Sequence, residues 1–151
     1  MLEDVRFYHL QRQPLEAALP RLLEKVLQAG LKAVVRLPDS VAVDEIDKAL
    51  WTYDPDSFLP HGTPESGHAA RQPIYLTAGD ETPNAPDIIV LVNNAPAPAD
   101  LAAFKRCLYM FDGQREEIVA RARQDWLTFK EKAPAVSYWQ QKPEGGWEQK
   151  A

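Results

Sequence analysis

The spacing of apolar residues changes several times along the chain, and each change predicts an element. Val5–Leu10 (VRFYHL) reads as a strand. Leu15, Leu19, Leu22, Leu23, Val26 and Leu27 recur at helical spacing after Pro14, which predicts a helix to about Ala29 with Gly30 at its C′ position. Ala33–Leu37 is a short β-branched strand, and Pro38-Asp39-Ser40 is a turn and N-cap. Val43, Ile46 and Leu50 then mark a second helix ending near Trp51. From Asp54 to Gln72 three prolines and two glycines interrupt the pattern and predict loop. Ile74–Thr77 is a strand, and GDETPNAP (Gly79–Pro86) is a turn. Asp87–Val92 (DIIVLV) is apolar on both faces, as a central strand of a parallel sheet is. Beyond a Pro/Ala loop, a short helix is expected over Asp100 to about Lys105, and Arg106–Phe111 is a fifth strand. Asp112-Gly113 turns into a last helix, about Gln114 to Lys132.

Strands that alternate with helices predict an α/β fold, a largely parallel, Rossmann-like sheet of about five strands flanked by helices. At 151 residues the simplest organisation is one domain, expected over residues 1–142, with a flexible tail over 143–151. An α/β sheet invites a nucleotide, yet the loop after the first strand is Gln-Arg-Gln-Pro. It carries neither a dinucleotide fingerprint nor a P-loop. The sequence therefore predicts no phosphate cradle there and no bound cofactor.

Composition removes further classes. No apolar run approaches the ~18 residues of a membrane span, and MLEDVRFYHL lacks the basic-then-apolar order of a secretory signal, so a cytoplasmic protein is expected. The single cysteine, Cys107, lies in an apolar run and reads as a core thiol. His9, His61 and His68 lack the short spacings of zinc motifs and are expected to be solvated or capping, with no metal site. No G-x-S-x-G elbow is present, and nothing argues for catalysis. The formal net charge of −5 makes the chain a poor wrapper of nucleic acid. The charge is uneven: Arg121–Ala151 holds six basic and four acidic residues, and the first 120 residues hold 11 basic and 18 acidic.

Two stretches are suited to binding. Trp51 closes the second helix, and Phe58 follows between Pro55 and Pro60. Both aromatics fit either a core or a docking surface that stiff prolines hold ordered. On the last helix, Arg123, Trp126, Leu127 and Lys130 fall at i, i+3, i+4 and i+7 and share one face. That face fits a ligand with an acidic and an apolar part, and a core tryptophan among solvated charges fits it too. Ile118, Ala122 and Phe129 form a neighbouring stripe expected to face the sheet.

Phe7-Tyr8, ALW followed by SFLPHG (Ala49–Gly62), and AR-x-x-W leading to YWQQ (Tyr138–Gln141) together resemble the chi subunit of the bacterial DNA polymerase III holoenzyme. The resemblance runs from Phe7 to Gln141. It implies a non-enzymatic adaptor that links the clamp-loader complex, through the psi subunit, to single-stranded-DNA-binding protein. That protein's acidic C-terminal tail ends in phenylalanine, and nucleic acid would be met only indirectly. By resemblance, Trp51 and Phe58 match the psi-binding surface, and Arg123 and Trp126 match the tail site. The family often carries lysine directly after that aromatic. Leu127 stands there instead, and Lys130, one turn on, is the candidate replacement. Two other readings are a small α/β enzyme or nucleotide-binding protein, and a direct binder of single-stranded DNA.

Overall fold

In a computed structural model, which describes residues 2–144 and 146–151, the strands form one seven-stranded sheet in the order β3-β2-β4-β5-β1-β6-β7. The elements are β1 (Asp4–Leu10), α1 (Leu15–Gln28), β2 (Ala33–Arg36), α2 (Ser40–Thr52), β3 (Ile74–Thr77), β4 (Ile88–Val92), β5 (Arg106–Asp112), α3 (Glu116–Lys132), β6 (Val136–Gln141) and β7 (Trp147–Gln149). All pairings are parallel except β6–β7. The α/β reading therefore holds, but the sheet has seven strands rather than about five. The short helix expected after Asp100 is a single 3-10 turn, Leu101–Ala103.

The two added strands come from the C-terminal segment. β6 lies parallel to β1, Val5 opposite Val136 and His9 opposite Gln140. All its residues but Gln141 are only half-buried, so VSYWQQ has no apolar run to announce a strand. Backbone pairing with β1 supplies what its side chains do not advertise. Trp147–Gln149, expected as tail, pairs with β6 as an edge strand.

The sheet buries both faces. Leu19, Leu23 and Val26 of α1, with Val43, Ile46 and Leu50 of α2, pack on one side with Val35, Val90 and Met110. Ile118, Ala122 and Phe129 of α3 pack on the other with Phe7, Ile89, Tyr109 and Phe111. Every residue of β4 is buried, as its doubly apolar sequence requires. Cys107 is fully buried, and desolvation raises its thiol pKa far above the ordinary value.

Helix α1 ends as its sequence predicts. Gly30 N–H donates to Leu27 O (2.9 Å), Leu31 N–H donates to Val26 O (3.2 Å), and Gly30 has φ +76°. This is a Schellman cap. A Cβ at Gly30 meets nothing within 4 Å, so alanine there strains only the backbone. Gly30→Ala is expected to lower stability by about 1 kcal/mol, and Gly30→Asn by less. Denaturant melts of the two variants check this.

Candidate docking surfaces

The first surface is the end of α2 and the loop after it. Asp39 caps the helix, its Oδ1 accepting from Ala42 N–H at 2.8 Å. Val43, Ile46 and Leu50 point inward and leave Trp51 on the outer side, 52% exposed. Phe58 is 69% exposed, and its ring lies 5.8 Å from that of Trp51. The loop between them is held by Asp54, which accepts from Asp56 N–H at 2.9 Å, and by buried Leu59. The two aromatics are thus brought together on the outside, on an ordered loop.

His61 is the residue here that sequence reasoning missed. It is buried, not solvated or capping. Its Nδ1 lies 2.7 Å from Leu59 O, its Nε2 lies 2.8 Å from Asp47 Oδ1, and its ring packs 4.5 Å from that of Trp51. Asp47 and Trp51 are one helical turn apart, so a single histidine ties the loop to α2 beneath the exposed tryptophan. The sequence signal was the i, i+4 pair Asp47/Trp51 followed by the Pro60-His61 corner.

The second surface is the outer side of α3. Ile118, Ala122 and Phe129 face the sheet as expected. Arg123, Leu127 and Lys130 are exposed, Leu127 by 64%. Trp126 is half-buried, edge-on to Phe7 (5.4 Å) and Tyr138 (5.5 Å), with Lys130 Nζ over its ring at 5.3 Å. The indole therefore belongs partly to the core, and the stripe is cation–indole–cation as its spacing implies. On a wheel of 100° per residue, Leu127 lies roughly 160° from Phe129 and points straight outward.

A hollow of about 400 Å³ lies on the other flank of α3, lined by Tyr109, Arg121, Thr128, Phe129 and Lys132 and by the Ala95–Ala99 loop. Tyr109 OH donates to Asp125 Oδ2 (2.5 Å) and accepts from Asn94 Nδ2 (2.8 Å). Burial, then the bond to Asp125, raises its pKa. Arg121 is paired with Asp125 at 3.0 Å. Helical spacing marks the Arg123 flank, whereas this hollow forms only where the Ala95–Ala99 loop meets α3.

His9 sits near Arg123. Its Nδ1 lies 2.7 Å from Tyr138 OH, and its ring stacks on Phe111 at 4.8 Å. Burial lowers its pKa below the usual 6.5, Arg123 lowers it further, and Asp112 opposes them. The folded chain thus holds this proton less tightly than the unfolded chain. The contribution to stability is complete above about pH 6.5 and is lost as pH falls from there through the folded pKa. An NMR titration is expected to give a His9 midpoint below 6.5 that rises in Arg123→Ala. An unmoved midpoint would show that the two charges do not interact.

The loop after β1, where no phosphate cradle is expected, turns three backbone N–H groups onto one side chain. Gln11, Arg12 and Gln13 all donate backbone N–H to one atom, Gln141 Oε1, at 3.2, 3.0 and 3.0 Å. Gln141 Nε2 donates to Gln13 Oε1 at 2.9 Å. This is where an open parallel sheet would receive a phosphate, at the carboxyl end of β1 before a helix. The converging N–H groups are taken by the chain's own amide. A nucleotide bound at this loop would have to displace Gln141.

A family model for the DNA polymerase III chi subunit, HolC, matches residues 2–137. The chain belongs to the chi subunit family. It is 31% identical over 101 residues to the probable DNA polymerase III subunit chi of Rickettsia prowazekii, covering 67% of this chain and 59% of that one. It is 28% identical over 86 residues to DNA polymerase III subunit chi of Pseudomonas aeruginosa, covering 57% of this chain and 58% of that one. The chain thus spans about three fifths of the length of these chi relatives. No helix among the described residues is long and apolar enough to cross a membrane.

Proposed function

We propose that the chain is a non-catalytic adaptor of the DNA replication machinery. It joins the DNA polymerase III clamp loader, through psi or an equivalent subunit, to the acidic C-terminal tail of single-stranded-DNA-binding protein. The observation that carries this reading is the ordered, outward-facing pair Trp51 and Phe58 in a chain of the chi family. Large aromatics held on a stiff loop lose little entropy on docking and are common hot spots.

The tail is assigned to the outer side of α3. Its terminal carboxylate pairs with Arg123, its phenyl ring packs beside Trp126 and Leu127, and Lys130 supplies the second cation. Such an exposed site binds at about micromolar strength and weakens with salt.

The test is titration with a fluorescent peptide bearing an acidic, Phe-terminated tail. Arg123→Ala is expected to weaken binding roughly 30-fold, about 2 kcal/mol. Lys130→Ala should weaken it by less, and Trp51→Ala/Phe58→Ala should leave it unchanged while weakening assembly with psi. Trp126→Ala is a poorer probe, because that ring also packs on Phe7 and Tyr138. Equal affinity for a tail lacking its last phenylalanine would overturn the tail assignment. Loss in Arg121→Ala rather than Arg123→Ala would move the site to the other flank of α3.

A further inference from the structure

Alternation along the strands sorts Arg6 and Tyr8 of β1, Arg106 and Leu108 of β5, and Trp139 of β6 onto the α1 side of the sheet. Helix α1 packs over β5, and β6 and β7 extend the sheet beyond it. A cleft of about 460 Å³ is left between α1 and Trp147 of β7. Its aromatic wall is Trp139 and Trp147, the latter edge-on to Tyr8 at 5.1 Å.

Every charged side chain lining this cleft is basic: Arg6, Arg21, Lys25 and Arg106. That is notable in a chain of net charge −5. Asp4, behind them, accepts Nε–H from Arg6 (3.0 Å) and from Arg106 (2.7 Å). It thereby fixes both guanidinium groups, and the Tyr8 hydroxyl, which also lines the cleft, bonds the Arg6 guanidinium as well. Lys25 is exposed and makes no ion pair among the described residues.

We propose that this cleft is a second docking site, separate from both surfaces above, for a short acidic peptide segment carrying a large apolar side chain. The carboxylates meet the paired guanidiniums and Lys25, and the apolar side chain packs against Trp139 and Trp147. A carboxylate suits the arginine fork. A short segment fits better than a nucleic-acid strand. Arg21 is engaged by Glu24 and Asp54, so acidic groups border the cleft, and a long polyanion would run against them and the overall negative field.

The probe is the peptide Asp-Asp-Phe-Asp-Asp, labelled with fluorescein at its N-terminus and amidated at its C-terminus so that it lacks the terminal carboxylate used at α3. Saturable, salt-sensitive binding to the full chain is expected. Lys25→Glu and Trp147→Ala should each weaken it at least about fivefold, and Arg123→Ala should leave it unchanged. Lys25 is an exposed helix residue, so its variant keeps the test valid if Trp147→Ala unsettles the edge strand. No saturable binding, or an equal loss in Arg123→Ala, would overturn the proposal. Tighter binding of an oligothymidylate than of the peptide, weakened by the same two variants, would overturn it in favour of a nucleic-acid site.

Discussion

Gln141→Ala is expected to cost about 2 kcal/mol of folding stability, although Gln141 touches neither docking surface. Its Oε1 is the single acceptor for the backbone N–H groups of Gln11, Arg12 and Gln13. Alanine would strand these donors and the Oε1 of Gln13 as well. Gln141 is buried, but Gln11, Arg12 and Gln13 are exposed residues, so each donor that loses its acceptor costs about 1 kcal/mol, the low end of the range, with entering water offsetting part of the total. Gln141→Glu separates the cause from simple loss of packing. A carboxylate accepts from the same three donors, and more strongly, so this variant is expected to keep most of the stability. Denaturant melts of both variants decide the matter. An alanine variant within about 0.5 kcal/mol of the parent, the range of an ordinary surface substitution, would show that the cradle does not depend on this side chain.

Gly113→Ala has an expected cost of similar size and a different origin. A Cβ at Gly113 would lie 2.2 Å from His9 Nε2 and 2.3 Å from Leu10 O. The imidazole could swing away, but the carbonyl cannot, because Gly113 N–H donates to it at 2.7 Å. Relief requires the β5–α3 turn to lift off the end of β1. Overpacking of this kind costs about 3 kcal/mol. The same movement would displace α3, and with it Arg123, relative to His9. Thermal melts should show the loss, and the His9 titration should shift with it. A variant with the parent's melting temperature and His9 midpoint would mean that the turn has slack.

Local pattern alone set much of this protein. The helical stripes of α1 and α2, the Gly30 stop and the doubly apolar β4 name their elements, because each encodes its period within a few residues. The arrangement of Arg123, Trp126 and Lys130 on one face of α3 was likewise determined by spacing. What the tertiary structure decided is what depends on residues far apart in the chain. Trp51 and Phe58 could equally have been core. They are exposed because Leu50 and Leu59, their chain neighbours, take the buried positions, and because His61 reaches back to Asp47 beneath them. β6 and β7 lack an apolar run and exist as strands by pairing, first on β1 and then on each other. The cradle at the end of β1 has no glycine to mark it, and its acceptor arrives from 128 to 130 residues away. The basic cleft likewise needs α1, β1 and β5 in place before its cations meet, and β6 and β7 before they face the two indoles. Periodicity reports which face of an element is apolar. Which polar groups then converge is settled only when the sheet order brings distant strands side by side.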